Sequence, residues 1–369
     1  MSNGGTTRIW RPSTVIATCI ATGLLVYFYS QYSSTIDVRN RGRTRYSAYD
    51  RPGTLSTFAT RLDANETGEI VPYWAPFDSR GLPADHGRLL ERLLVAATSE
   101  KQEEDDAAIV EMVKGKTILF FGDSNERSIV DELCIKLGVW PQIISSSNPP
   151  AKSERWHADS HSCEIEKLGG VRLISFMSYG VLIERGSRLW EKKLELNGPW
   201  AVEERIELAK EFVAKMKFEV DLIVFNSNLW DLMYLHDTHI RLDTPYEFSL
   251  STSTLETYIS RYVFALNSLR SSFPSTPVYT RTLHPLFPGR DVDFFNLRRI
   301  VQLNQASLEI LSRCKEKGLE VKMLDVGKVL EGWPTSGKES NNILRDKVHL
   351  NWNPGLWMYG EMVLEALRS

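Results

Sequence analysis

Cysteine is scarce, at four residues in a chain of 369. Cys19 lies in an apolar N-terminal stretch, which leaves Cys134, Cys163 and Cys314. That is too few for a disulfide framework, although one bridge plus one free thiol fits an oxidising compartment. No pair is spaced as CxxC, so a zinc ribbon and a thioredoxin-type redox motif are excluded. A dominant charge is also lacking. Lys and Arg number 44 against 47 Asp and Glu, for a formal net charge of -3. Phosphate backbones are held by clustered basic residues, so nucleic acid is not expected as a partner. The run from Arg39 to Arg45 is local. A phosphate-cradling P-loop is absent, because Gly115-Lys116-Thr117 lacks the upstream glycine. Internal repeats and low-complexity tracts are absent as well.

Uncharged apolar runs of membrane-spanning length are limited to one, Ser13 to Tyr29. Its length is near the lower limit for crossing a bilayer. Arg8 and Arg11 precede it, and Trp10, Tyr27 and Tyr29 sit where interfacial aromatics belong. A small-x-small cleavage site is not evident. The stretch is read as a single-pass signal anchor over residues 13–30, after a short tail of residues 1–12. The adjacent arginine pair and the sequon Asn65-Glu66-Thr67 favour a lumenal catalytic domain, in Golgi or ER. Residues 31–110 are read as a stem and irregular extension, with a helix over 87–97. The charged run Glu100 to Asp106 is read as a solvated helix face or linker.

From residue 111 to 369 the pattern changes. Thr117–Phe121 is a short apolar run ending at Gly122, as in a buried parallel strand. Further strands are predicted at 142–145, 171–177, 222–225, 278–283 and 321–326. Helices are predicted at 125–137, 200–217, 255–269 and 294–317, the last closed by Gly318. Asn353-Pro354 reads as an N-cap with Pro at N1, opening a final helix to Leu367. Strands alternating with helices imply an α/β fold, a parallel sheet with helices on both faces. Such folds bind ligands at the carboxyl ends of the strands.

Two motifs reach that rim from opposite ends of the chain. Gly122-Asp123-Ser124 follows the first core strand and opens a helix, where free backbone N–H groups can stabilise an anion. Alone, the serine could be an ordinary N-cap. Asp346-Lys347-Val348-His349 stands before the last helix. A serine hydroxyl needs a base, and the base needs an orienting acceptor. Ser124, His349 and Asp346 are therefore the candidate triad. Oxyanion donors are sought in the Ser124 N–H, the Gly180 N–H and a side-chain amide of Asn226 or Asn228. Asp123 and Arg127 are supporting residues, with Arg127 expected in a structural salt bridge. His284 and Trp230 are candidates for lining the substrate.

Gly122-Asp123-Ser124 with Asp346 and His349 resembles the SGNH/GDSL hydrolase superfamily. Adding Arg127, the segment Phe225 to Asp231 and Val348, the chain resembles the PC-esterase group. That group includes plant trichome-birefringence-like proteins and fungal relatives implicated in glycan O-acetylation. The resemblance spans residues 115–369. It implies a flavodoxin-like three-layer α/β/α sandwich and a serine-dependent acyl transfer without metal or cofactor. Asn125 stands where GDSL enzymes carry leucine, and Asn226-Ser227-Asn228 takes the place of the GxND block.

The expectation is a membrane-anchored serine esterase or O-acyltransferase, adding or removing acetyl groups on glycans. Its partners would be a glycan or other ester, an acyl donor and the membrane. An inactive glycan-binding domain and a lipid esterase are the alternatives. Two histidine clusters could in principle hold zinc, His157 to Cys163 and His236 to His239, both read as loops.

Overall fold

The computed structural model describes residues 63–64, 70–71, 88–99, 104–144, 160–186, 200–242, 249–286, 295–331 and 342–368. The expected anchor at 13–30, its flanking segments, the sequon and His157 lie outside these residues. Among the described residues, no helix is long and apolar enough to cross a membrane.

Two short strands, β1 (Asp63–Ala64) and β2 (Ile70–Val71), pair antiparallel. Then come α1 (Leu89–Thr98), α2 (Glu104–Val113), β3 (Thr117–Gly122), α3 (Ser124–Lys136), β4 (Gln142–Ile144), β5 (Ser160–Ile165) and β6 (Val171–Met177). The second half holds α4 (Val202–Met216), β7 (Leu222–Phe225), α5 (Leu229–Leu242), α6 (Thr252–Ser272), β8 (Val278–Arg281), α7 (Leu297–Glu316), β9 (Val321–Leu324), α8 (Val326–Val329) and α9 (Trp357–Arg368).

Strands β3 to β9 form one sheet in the order β4-β5-β6-β3-β7-β8-β9. Strand β3 is central and pairs parallel with β6 and β7. All six of its residues are buried, which accounts for the unbroken apolar run. Successive side chains leave opposite faces of the sheet. Ile118 and Phe120 pack in one core with α1, α3 and α9, and Leu119 and Phe121 in another with α4, α6 and α7. The result is a three-layer α/β/α arrangement. The chain builds one side of β3 and then returns to build the other, so the carboxyl end of β3 faces the switch-point crevice.

Several expectations are corrected. The sheet is mixed, because β5 runs antiparallel to β6 and to β4. Strand β5 occupies most of the stretch read as a loop at 157–163. Its polar sequence hides a strand whose pairing with β4 and β6 supplies the order. The packed domain also begins before residue 111, since Leu89, Leu90 and Leu93 of α1 and Ile109 of α2 are in the core. His236 and His239 stand on α5 and not in a loop. Finally, Asn351 caps the turn Trp352–Leu356 that leads into α9, and within that turn Asn353 has the extended backbone angles that an N-cap before Pro354 requires.

Candidate active site

Strand β3 delivers Gly122 to the sheet edge, and the chain turns there into α3. Asp123 is the N-cap. Its carboxylate accepts the Asn125 N–H at 2.7 Å, and the Glu126 carboxylate accepts the Asp123 N–H at 2.9 Å. This reciprocal cap sets the first turn of α3 and places Ser124, partly exposed, at its first position. The Ser124 Oγ lies 2.7 Å from His349 Nε2, and His349 Nδ1 lies 2.7 Å from Asp346 Oδ2. Asp346 Oδ1 also accepts the N–H groups of Val348 (2.9 Å) and His349 (2.8 Å), so one carboxylate shapes the turn and orients the ring. Burial pushes the Asp346 carboxyl up, but these donors and the imidazole outweigh it and hold the carboxyl below its usual range. His349 is also held below its ordinary value. Burial is the largest cause, Arg345 and Arg127 add to it, and Asp346 opposes it.

Beneath Ser124 lies a polar network that sequence reasoning missed in part. Glu126 and Arg281 are fully buried and paired, with Asp123 3.9 Å from the same guanidinium. Asn226 Nδ2 donates to Asp123 (3.0 Å) and to Glu126 (3.3 Å), and Tyr359 OH donates to Glu126 (3.1 Å). Burial and the neighbouring Glu126 hold the Asp123 carboxyl well above its usual value, whereas Arg281 holds Glu126 below its own against burial. Asp123-x-x-Glu126 is a legible capping signal. Arg281 is 155 residues from Glu126 and carries no local signal.

The candidate oxyanion donors fall into two groups. The Ser124 and Gly180 N–H groups have no hydrogen-bond partner among the described residues. Gly180 follows β6, two residues after Ser178, whose N–H donates to the Gly122 carbonyl at 2.6 Å. It adopts φ +100°, and a Cβ there would meet Asp231 Oδ1 at 2.6 Å. Asp231 fixes this turn by accepting the N–H groups of Val181 (2.8 Å) and Leu182 (2.9 Å), and burial raises its carboxyl to about 7. The asparagines are engaged elsewhere. Asn226 is committed to Asp123 and Glu126, so it is not available to an oxyanion. Asn228 donates to Asn226 at 2.8 Å and accepts from Tyr258 OH at 2.5 Å, leaving one amide hydrogen.

Among the described residues, Arg127 does not form the expected salt bridge. Asp123 pairs with Arg281 instead, and Arg127, half-buried one turn after Ser124, acts on His349 through its charge. His284 does not line a substrate surface either. It is 0% exposed and its Nε2–H donates to the Val348 carbonyl at 2.9 Å. Trp230 is half-buried and packs edge-on against Tyr179 at 5.1 Å, next to Gly180. Of the two histidine clusters, Cys163 is disulfide-bonded to Cys134 and His161 pairs with Asp131 at 2.6 Å. Among the described residues, no group of three or more His, Cys, Asp or Glu is placed to hold a metal.

No family model matches the chain, and no curated protein matches it. Solved structures similar to it include a lipase/acylhydrolase from Enterococcus faecalis, at 13% identity, TM-score 0.37, covering 69% of this chain and 95% of the other. A carbohydrate esterase family 3 from Talaromyces cellulolyticus has 14% identity and TM-score 0.36, covering 69% and 98%. A GDSL-like lipase from Bacteroides thetaiotaomicron has 13% identity and TM-score 0.33, covering 75% and 96%.

Proposed function

We propose that this protein is a serine-dependent esterase or O-acyltransferase of the SGNH type, acting on O-acyl groups of glycans. The observation that carries the reading is the unbroken chain Ser124 Oγ to His349 Nε2 to Asp346 Oδ2, with 2.7 Å at both links. In this mechanism His349 takes the Ser124 proton as the hydroxyl attacks the acyl carbonyl. The resulting oxyanion is held by the Ser124 and Gly180 N–H groups, with the remaining Asn228 amide hydrogen as a third donor. His349, now protonated and steadied by Asp346, gives its proton to the departing alkoxide. Water or a sugar hydroxyl then attacks the acyl-serine, with His349 again as the base. The partly exposed Trp230 beside Gly180 offers an aromatic face of the kind that stacks on a sugar ring. A disulfide between Cys134 and Cys163 accords with an oxidising compartment such as the Golgi or ER lumen. An anchor at residues 13–30 would hold the enzyme at that membrane.

The test is labelling of the full chain with a fluorophosphonate serine probe, followed by a screen of acetylated glycans. Labelling of the wild type, lost in Ser124→Ala and in His349→Ala, is the expected result. A folded wild type that takes up no probe would sink the proposal. Release of acetate from an acetylated glycan favours the esterase, and transfer to an added unacetylated glycan favours the transferase.

A further inference from the structure

His349 sits in the segment 342–350, which has one isolated bridge, Leu344 to Leu350, and no strand or helix. Asp346 shapes that segment from within, but it cannot locate the segment relative to Ser124. Something outside must do so, because proton transfer depends on the Ser124–His349 separation.

We propose that Asn125 and His284 are positioning residues for the base: they grip the backbone on either side of His349 and hold it in reach of Ser124. The inference rests on the reading of the site given above. Asn125 Oδ1 accepts the Leu350 N–H at 2.9 Å, and its Nδ2 points to the Val348 carbonyl at 3.4 Å. His284 donates to the same carbonyl at 2.9 Å. The residues before and after His349 are thus tied to two different elements, α3 and the end of β8. Arg345 adds a third tie, to Ser128 Oγ of α3 at 3.0 Å.

Both grips are themselves rigid. Asn125 is fully buried, and its N–H and Nδ2 both donate to Asp123 Oδ1, at 2.7 and 3.1 Å. Its neighbour in sequence is the nucleophile, so one residue links Ser124 to both flanks of His349. Leucine at this position could make neither bond. His284 is fully buried, and the preceding Leu283 is fixed through both its N–H and its carbonyl by the Asn304 side chain, at 2.8 Å each. Burial, with Arg281 nearby, pushes the His284 imidazole down to about 3, so it is neutral. A neutral ring that donates from Nε2 carries no proton on Nδ1. That matches an Nδ1 that is buried without a partner. A protonated ring would have to bury a second donor there.

The experiment measures inactivation of the full chain by a fluorophosphonate, separating the maximal rate from the half-saturating concentration. Asn125→Leu and His284→Leu are expected to lower the maximal rate by about 10- to 100-fold, the size of effect that a misplacement of about 1 Å produces. Half-saturation should stay within about twofold, since no probe contact is removed. His284→Gln, which can present an N–H to Val348, should recover most of the rate. In the leucine variants the acid limb of the rate should move toward the ordinary histidine value of 6.5, because a loosened His349 regains water. Melting temperatures accompany each measurement. A leucine variant that does not fold is replaced by His284→Asn, too short to reach Val348. Unchanged maximal rates in folded variants would overturn the inference and leave the reading of the site intact. So would a loss in His284→Leu that Gln does not rescue and that leaves the acid limb in place. A wild type that does not label would overturn the reading of the site and this inference together.

Discussion

His349 lies between opposed influences, and their balance is open to measurement. Burial, Arg345 and Arg127 favour the neutral ring, and Asp346 favours the charged one. Only the neutral ring can accept the Ser124 proton, so the labelling rate should fall as pH drops through a midpoint below 6.5. Removing a cation should raise that midpoint and removing the anion should lower it. Arg127→Gln is therefore expected to shift the acid limb upward. Asp346→Asn should shift it downward and also cost about 10⁴ in rate, as the equivalent change does in a serine protease triad. A pH–rate profile for each variant checks both signs. An upward shift in Asp346→Asn would remove Asp346 from the role given to it. At this scale the triad was legible in the sequence, because Asp346 and His349 are neighbours and the Gly-Asp-Ser motif follows a strand. The roles of Asn125, Arg281 and His284 were not. Each depends on a partner more than 60 residues away, and no local pattern records such a contact.

Among the elements, α1 and α9 illustrate a cap supplied from a distance. The α1 N-terminus has no side-chain cap of its own. Glu361 of α9 takes the N–H groups of Leu89 and Leu90, at 2.7 Å each, through its two oxygens. Burial raises this carboxyl from 4.5 to about 8 despite those two bonds. A carboxyl that holds its proton more tightly in the folded state stabilises most when protonated in both states. Its contribution should therefore be complete below about pH 4.5 and decline as pH rises to about 8. Glutamine does not titrate, so Glu361→Gln should flatten the fall of melting temperature across that window, and it should also lower the low-pH value, because its Nε2 cannot accept one of the two N–H groups. Thermal melts at pH 5, 6.5 and 8 decide it. A slope identical to wild type would mean that Glu361 does not carry the titration. The strands most accurately read from sequence were the central ones. β7 is a buried apolar run, and β6 is mostly apolar and buried apart from Arg172; the ends of both coincide with the change to polar residues or glycine. Strand β5 escaped notice because only Ser160, Cys163 and Ile165 are buried in it, without regular alternation, among Ser, His and Glu.

For the molecule as a whole, the bridge from Cys134 to Cys163 ties α3, which carries Ser124, to β5. It spans 29 residues of sequence, a closure that should stabilise the native state by about 3–4 kcal/mol in the chain-entropy account. The double substitution Cys134→Ser/Cys163→Ser is expected to lower stability by about that amount in urea unfolding. A loss under about 1 kcal/mol would show that the remaining contacts between β5 and α3, including Asp131 with His161, suffice. Cys314 is buried and unbridged, so it offers no alternative pairing in the folded state.

Sequence alone determined the alternating α/β order, the buried parallel centre of the sheet and the identity of the Ser-His-Asp chain. These follow from periodicity, from composition and from two short motifs, all of them local. It was left to the tertiary fold which cysteines pair, that Asn226 serves the Asp123–Glu126 network, that Asp123 pairs with Arg281 and not with Arg127, and that His284 donates to the Val348 carbonyl. Those outcomes depend on which buried polar groups meet across the sheet edge. An unsatisfied buried donor or charge is costly, so the pairing is selected by the three-dimensional neighbourhood and not by the adjacent residues.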